Sequence, residues 1–129
     1  MANLEQWLAD YRTAWITRDP DLITTLFTED CVYRETPHGD PHLGRAGVRA
    51  YWEGVTATQS DIEMRYGKAV GDDTHAAVEW WVTMDNGGVP VTLAGEFMLV
   101  FDDAGLCSEL REYWFFIEGR NEPPSGWGE

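Results

Sequence analysis

The chain has 129 residues, a length that fits one domain with a substantial core. A hydrophobic fraction of 43% and a charged fraction of 25% are ordinary for a globular protein and argue against wholesale disorder. The net charge of -14 would repel nucleic acid phosphates and anionic lipid headgroups, so we expect neither a nucleic acid nor a membrane as partner.

The first residues, MANLEQWLADYR, contain early acidic residues and no long apolar stretch. We therefore expect no signal peptide and a cytoplasmic protein. Apolar residues between Leu4 and Trp15 recur at helical spacing, which predicts a first helix that ends near Thr17. Asn3 is placed to cap this helix.

The pair Asp19 and Pro20 is typical of a new helix start, since Asp caps well and Pro fits the first helical position. With the apolar residues Leu22, Ile23, Leu26 and Phe27, this start predicts a short second helix from Pro20 to Phe27. The next predicted elements are a strand over 31–36, a loop over 37–44 that contains two Pro and two Gly, and a third helix from Arg45 or Ala46 to Thr58.

From Ile62 onward apolar and polar residues alternate, as they do in strands. Tight turns are predicted at 85–88 and 102–105, where Asp, Asn and Gly tolerate positive φ angles. The long strands between and around these turns are predicted over 76–84, 91–101 and 106–117. Aromatic residues crowd both faces of these strands. The sheet is therefore expected either to lie between two layers or to curl around a pocket and pair with a second copy through its back.

Helices followed by a strand meander indicate an α+β domain, which we place at residues 1–118. Residues 119–129 are rich in Pro and Gly and are predicted to form a flexible tail. Cys31 and Cys107 fall in apolar, strand-like segments and are expected to be buried reduced thiols, the alternative being a disulfide or a reactive role.

Three fragments of the chain are RDPDLITTLFTEDCVYRETP, LGRAGVRAYWEGV and GEFMLVFDDAGLCSELREYWF. With the predicted order of helix, helix, strand, helix and four strands, they resemble the SnoaL-like branch of the nuclear transport factor 2-like superfamily over residues 4–117. The resemblance implies a cone-like α+β barrel, with three N-terminal helices packed in a strongly curved mixed or antiparallel sheet around an apolar pocket. It also implies a homodimer formed through the outer face of the sheet.

The resemblance extends to ketosteroid isomerase, a member of the superfamily, and implies roles for individual residues. The tyrosine donor of that enzyme falls on Tyr11, and its basic aspartate falls on Glu35. Its second oxyanion-site acid falls on Phe97, so the same steroid chemistry is not expected, although a shift of one residue would place Glu96 there. His38 is a candidate proton carrier at the pocket rim.

Each catalytic candidate has a simpler interpretation. Glu35 could be a solvated or ion-paired carboxylate, and Tyr11 could be a core tyrosine with a bonded hydroxyl. His38 and His42, with neighbouring acids, lie in a Pro- and Gly-broken loop without a fixed ligand spacing, so we expect no metal site. The sequence contains no Gly-rich phosphate loop or nucleotide fingerprint, and we expect no cofactor.

Alternation and the resemblance together predict which residues line the pocket. They are Trp15, Trp52, Val78, Trp80, Val82, Met84, Phe97, Leu99, Leu110, Glu112 and Trp114. Glu112 is unusual in this set, because a carboxylate among aromatic residues needs a partner or a proton. The alternative is a surface Glu112 paired with Arg111 or Arg34.

These features favour a small-molecule pocket protein. It would be a cofactor-independent isomerase, cyclase, hydrolase or dehydratase that acts on a small apolar molecule by general acid–base catalysis. The alternative is a non-catalytic ligand-binding or dimerisation domain, since one fold serves both purposes. Converging polar groups inside the pocket would favour catalysis, whereas a wholly apolar cavity would favour binding.

Overall fold

A computed structural model describes residues 4–129. Its helices are α1 (Leu4–Thr17), α2 (Pro20–Thr24) and α3 (Gly44–Thr56). Its strands are β1 (Phe27–Arg34), β2 (His42–Leu43), β3 (Gln59–Tyr66), β4 (Val70–Gly71), β5 (His75–Asn86), β6 (Val89–Phe101) and β7 (Cys107–Glu118). Asn3, the expected cap of α1, lies outside the described residues.

The second helix begins where the sequence predicts and ends earlier. The Asp19 side chain accepts hydrogen bonds from the backbone N–H groups of Asp21 and Leu22 at 3.0 and 3.1 Å. The hydroxyl of Thr25 donates to the Leu22 carbonyl at 2.7 Å just after α2 ends. The prediction of a helix through 27 is wrong, because Phe27 begins β1 and is fully buried there.

The strands form one mixed sheet in the order β2-β1-β7-β6-β5-β3, with β4 paired to β5. Strands β1 and β7 run parallel, whereas the other neighbours are antiparallel. Gly87 and Gly88 supply the positive φ angles of 60° and 82° that the β5–β6 turn requires. The predicted α+β architecture with a curved sheet is confirmed.

The core lies between the inner face of the sheet and the helices α1 and α3. Tyr11 of α1 packs against Phe97 of β6, with ring centroids 4.9 Å apart, and against Trp52 of α3 at 5.4 Å. Strand β5 alternates as expected, and its inward residues are Val78, Trp80, Val82 and Met84. Cys31 and Cys107 are buried free thiols.

The outer face of the sheet is rich in aromatic residues and partly covered by residues 119–129. Phe115 is 80% exposed on this face. The Trp81 indole donates a hydrogen bond to the Asn121 carbonyl at 2.8 Å, and its ring lies 5.8 Å from that of Trp127. The Lys68 amide donates to the Gly128 carbonyl at 2.9 Å. The tail therefore contacts the sheet without forming a helix or strand, and its flexibility stays a prediction.

The three helices of the described chain are short. None of them is long and apolar enough to cross a lipid bilayer.

Candidate active site

A cavity of about 210 Å³ lies between α1, α3 and the inner face of the sheet. Trp114 and Phe116 on β7 line it and are 37% and 58% exposed, so they mark its opening to solvent. The titratable side chains in its wall are Tyr11, Tyr33, Glu35, Tyr51 and Glu112. The cavity therefore combines aromatic walls with two carboxyl groups.

Glu112 is the central polar group of this cavity. Its side chain is 5% exposed, and Oε1 lies 2.9 Å from the Tyr33 hydroxyl and 3.2 Å from the Tyr11 hydroxyl. The two hydroxyl oxygens are 2.8 Å apart. Two hydroxyl hydrogens serve three contacts, so Tyr33 donates to Oε1 while Tyr11 shares its hydrogen between Oε1 and the Tyr33 hydroxyl.

Burial of Glu112 raises the pKa of its carboxyl group to about 8, because the charged form loses its hydration. The hydrogen bonds from Tyr33 and Tyr11 oppose this rise, and the nearby Glu35 carboxylate adds to it. Burial also raises the pKa of both tyrosines above the usual range, so their hydroxyl groups stay protonated. At neutral pH Glu112 is therefore mainly a neutral carboxylic acid.

The second oxygen of Glu112 is available to a ligand. Both tyrosine contacts fall on Oε1, and within residues 4–129 no hydrogen bond engages Oε2. Glu112 belongs to the cavity wall, so its unpaired oxygen is a candidate contact for a molecule bound there. A protonated Oε2 in this position can donate a hydrogen bond or a proton.

Strand pairing places Glu112 beside its partners. Residues 110 and 112 share the inner face of β7, and Glu112 lies opposite Phe97 of β6, the residue that packs on Tyr11. The parallel pairing of β1 with β7 sets Tyr33 beside Leu110. Tyr33 therefore reaches Glu112 from the neighbouring strand.

The second carboxyl group of the cavity belongs to Glu35, which follows the end of β1. Its Oε1 lies 3.2 Å from Nε2 of His42, and its side chain is 36% exposed. The His42 ring stacks on Tyr51 of α3, with centroids 4.4 Å apart. The Trp114 indole donates to the Glu35 carbonyl at 2.7 Å and fixes the backbone there. Glu35 thus has a histidine beside its carboxyl group, whereas the hydrogen-bond partners of Glu112 are two tyrosines.

The SnoaL-like domain family matches residues 8–109, most of the folded part of the chain. The chain belongs to the SnoaL-like domain family. The family assignment agrees with the resemblance inferred from the sequence fragments.

Relatives of this SnoaL-like chain include enzymes. It is 24% identical to a steroid Delta-isomerase of Nocardioides simplex over 113 residues, which are 88% of this chain and 90% of the relative. Its fold is similar to the epoxide hydrolase/cyclase-like enzyme SalBIII, studied for pyran ring formation in the polyether salinomycin. The TM-score is 0.75 at 20% identity, over 86% of this chain and 89% of SalBIII.

A third similar structure is a hypothetical protein of Catenulispora acidiphila with a ketosteroid isomerase-like fold, solved in complex with trimethylamine. The TM-score is 0.75 at 17% identity, over 88% of this chain and 86% of that protein. At such identities the structural likenesses establish the fold of the SnoaL-like chain and leave its chemistry to be argued from its own residues.

The structure brings part of the predicted site together. The predicted residues that line the cavity are Tyr11, Trp15, Glu35, Trp52, Trp80, Met84, Glu112 and Trp114. Those that are buried outside its wall are Val78, Val82, Phe97, Leu99 and Leu110. These five residues lie outside the cavity wall because the helices and the sheet pack around them without leaving space.

Two catalytic candidates have other neighbours than expected. Tyr11 contacts Glu112 and Tyr33 rather than Glu35. His38 is exposed and lies beside Trp81 and other residues of the outer sheet face. The histidine next to Glu35 is His42.

Sequence reasoning missed Tyr33 and the role of His42 beside Glu35. Tyr33 was visible as an aromatic residue near the end of a predicted strand. Glu96 lies on the outer face of β6, away from the cavity. Across the described residues, no group of three or more His, Cys, Asp or Glu side chains is arranged to hold a metal ion.

Proposed function

We propose that this SnoaL-like protein is a cofactor-independent general acid–base enzyme that acts on a small apolar molecule bearing a carbonyl, ether or epoxide oxygen. Glu112 donates a proton or hydrogen bond to that oxygen, and Glu35 takes a proton from the substrate. The reaction class is isomerisation, cyclisation, hydrolysis or dehydration. The observation that carries the proposal is a neutral, tyrosine-bonded Glu112 in the same cavity as Glu35.

The two carboxyl groups differ in environment, and this difference assigns their roles. Burial among neutral groups keeps the proton on Glu112, which suits a general acid. Glu35 is partly exposed, and its Oε1 lies 3.2 Å from Nε2 of His42, which leaves it accessible to exchange protons as a base. A correctly placed acid or base typically contributes about 10²- to 10⁴-fold to a rate.

The cavity also limits the substrate. A volume of about 210 Å³ accommodates one or two fused rings. Neither Lys nor Arg appears in the described wall, and the protein as a whole carries a charge of -14. An anionic substrate is therefore disfavoured, and a neutral one is expected. The steroid Delta-isomerase and SalBIII support a reaction on an apolar, oxygen-bearing molecule.

The simplest reaction that uses both groups is the shift of a carbon–carbon double bond into conjugation with a ketone. For cyclohex-3-enone, Glu35 removes a proton from C2, and the C–H electron pair forms a double bond between C1 and C2. Glu112 stabilises the enolate oxygen or protonates it. Glu35 then returns a proton to C4 as the carbonyl re-forms and gives cyclohex-2-enone.

Isomerisation of cyclohex-3-enone, followed by ultraviolet absorbance of the conjugated product, tests the proposal. We expect the wild-type protein to accelerate it, and Glu112→Gln and Glu35→Gln each to lower the rate by about 10²-fold or more. Glu96→Gln on the outer face of β6 is the matched control and should leave the rate unchanged. No acceleration by the wild type, or unchanged rates in both cavity variants, would refute the proposal.

A second candidate function is the binding of compact organic cations without catalysis. The aromatic walls of the cavity and the carboxyl group of Glu35 favour it, because ammonium groups bind to aromatic faces and carboxylates. The trimethylamine complex of the Catenulispora acidiphila protein supports this class of ligand. The dissociation constants of benzyltrimethylammonium and of its neutral isostere neopentylbenzene distinguish the two candidate functions. Tighter binding of the cation favours this second function, and equal binding of the two molecules excludes it.

A further inference from the structure

We infer that Gln59 forms a second polar contact in the cavity wall, so that the preferred ligand carries two oxygen acceptors, one for Glu112 and one for Gln59. The side-chain amide of Gln59 donates a hydrogen bond to the second oxygen, which is a neutral carbonyl, hydroxyl or ether oxygen. The inference rests on the proposed function, because it narrows the class of substrate that the cavity accepts. It identifies Gln59 as a specificity-determining residue that takes no part in the proton transfers.

Gln59 places a buried amide in the wall of the cavity. It is the first residue of β3 and is 3% exposed. Its Oε1 accepts a hydrogen bond from the Trp15 indole at 2.8 Å. Because an indole nitrogen can only donate, this bond fixes which end of the amide is oxygen and which is nitrogen. Within residues 4–129 no acceptor pairs with Nε2, so its N–H groups are unused.

The amide nitrogen of Gln59 is open to a bound molecule. The indole nitrogen of Trp80, in the same wall, also has no partner among the described residues, and packing encloses it completely. The Gln59 nitrogen is not enclosed in this way. Since buried polar groups in proteins are nearly always paired, an open and unpaired donor in a cavity wall favours an acceptor that the protein does not supply.

Gln59 is also held in one position. Its carbonyl oxygen accepts a hydrogen bond from the Arg18 guanidinium at 2.8 Å, and β3 pairs it with Asn86 of β5. The Trp15 indole holds the side chain. A donor that is already fixed loses little conformational entropy when a ligand binds, so its hydrogen bond contributes more to affinity.

Helix α1 separates the two polar ends of the cavity. Tyr11 contacts Glu112, and Trp15 contacts Gln59. Residues 11 and 15 are about one helical turn apart, a rise of ~6 Å, and their rings lie 6.3 Å apart. The Trp52 ring packs against both, at 5.4 and 6.0 Å. The arrangement suits a compact molecule that has an apolar body and an oxygen at each end.

Binding of two bicyclic ketones tests the inference. trans-2-Decalone carries one carbonyl group, and trans-decalin-2,6-dione carries a second one at the opposite end of the same ring system. Isothermal titration calorimetry gives the dissociation constant of each. We expect the wild type to bind the dione at least about threefold more tightly, which is the effect of one net hydrogen bond. The side-chain amide protons of Gln59 should also move farther downfield in proton NMR with the dione than with the monoketone.

Two variants remove the donor. Gln59→Met keeps the length of the side chain, and Gln59→Met combined with Trp15→Phe also removes the indole N–H that the first change leaves unpaired. The second carbonyl then has no donor, so we expect both proteins to bind the dione no more tightly than the monoketone. A merely structural role of Gln59 would weaken the binding of both ketones alike. Gln6→Met makes the same change at an exposed position of α1 and should keep the preference for the dione.

The outcomes separate the inference from the proposed function. Equal binding of the two ketones by the wild type refutes the inference, whereas isomerisation of cyclohex-3-enone by the same protein leaves the proposed function standing. A preference for the dione that persists in either folded variant also refutes the inference, because another group then binds the second carbonyl. If the wild type binds neither ketone, the inference fails, and the isomerisation assay alone decides the proposed function.

Discussion

The hydroxyl group of Tyr33 lies 2.9 Å from Oε1 of Glu112 in the interior, although the two residues are 79 positions apart in the chain. The contact depends on the parallel pairing of β1 with β7. It is the shorter of the two hydrogen bonds that hold this carboxyl group, and both fall on Oε1, which leaves Oε2 without a hydrogen-bond partner in residues 4–129. An acid in this position is bound firmly and still accessible to a ligand.

The protonation of Glu112 should make stability depend on pH. Its pKa is about 8 in the folded protein and 4.5 in the reference state, so the folded state binds the proton more tightly. The resulting stabilisation is complete below about pH 4.5 and is lost as the pH rises towards 8. We expect the free energy of unfolding to fall with a slope of up to about 1.4 kcal/mol per pH unit in this window.

Urea denaturation of the wild type and Glu112→Gln between pH 5.5 and 8.5 checks this prediction. The amide does not titrate, so the difference between the two proteins isolates Glu112 from other ionisable groups. We expect Glu112→Gln to gain stability relative to the wild type as the pH rises. A difference that does not vary with pH would contradict a protonated Glu112.

Tyr33→Phe should raise the pKa of Glu112 further, because the Tyr33 hydrogen bond lowers it. The fall in rate on the alkaline side of the pH profile should then move to higher pH, since the general acid stays protonated longer. The variant should also lose about 1 to 3 kcal/mol of stability. Tyr66→Phe, which removes a hydroxyl bonded to the Leu8 carbonyl, is the control and should leave the profile in place.

Glu35→Gln should abolish turnover and leave the fold intact, since the amide keeps the shape and loses the basicity. The side chain is 36% exposed, so we expect little change in the melting temperature. Circular dichroism and the cyclohex-3-enone assay measure the two effects separately. Full activity in a folded Glu35→Gln protein would show that Glu35 is a surface acid paired with His42.

We propose that two copies of the chain associate through the outer face of the sheet. Phe115 is 80% exposed there, and covering such side chains contributes about 1.5 to 3 kcal/mol each. Sedimentation velocity at micromolar concentration should show a dimer, and Phe115→Glu should shift it to a monomer. Val89→Glu changes another exposed apolar residue, which lies at the β5–β6 turn and has the side-chain parity of the buried Val91, and should leave the dimer intact. A monomeric wild type would remove this proposal.

The sequence predicted the fold well because its local signals agree with the tertiary structure. Alternation in β5 assigned Trp80 and Met84 to the inner face, and the Asn–Gly–Gly turn fixed the hairpin that follows. The helix predicted through 27 was wrong, because tertiary packing places Phe27 in a strand against β7. Local periodicity does not encode that pairing.

The site was predicted less completely, because its contacts are long-range. Alternation identified Glu112 as a carboxylate among aromatic residues, but the register that brings Tyr33 to it arises from a parallel pair of strands. Alternation predicts on which face of the sheet a side chain lies, but not whether it reaches the cavity. Val78 and Leu110 were therefore expected in the cavity wall, whereas they lie in the packed core. The loop between β1 and β2 decides that His42 and not His38 meets Glu35.

The pKa of Glu112, measured by carbon NMR of protein labelled at the glutamate carboxyl carbons, tests the central claim most directly. We predict one glutamate resonance that titrates near pH 8 and is missing from the spectrum of Glu112→Gln. The measurement requires no substrate, so it separates the protonation state from the choice of reaction. Titration of every glutamate below about pH 6 would contradict the account, because Glu112 would then be a carboxylate at neutral pH and could not act as the acid.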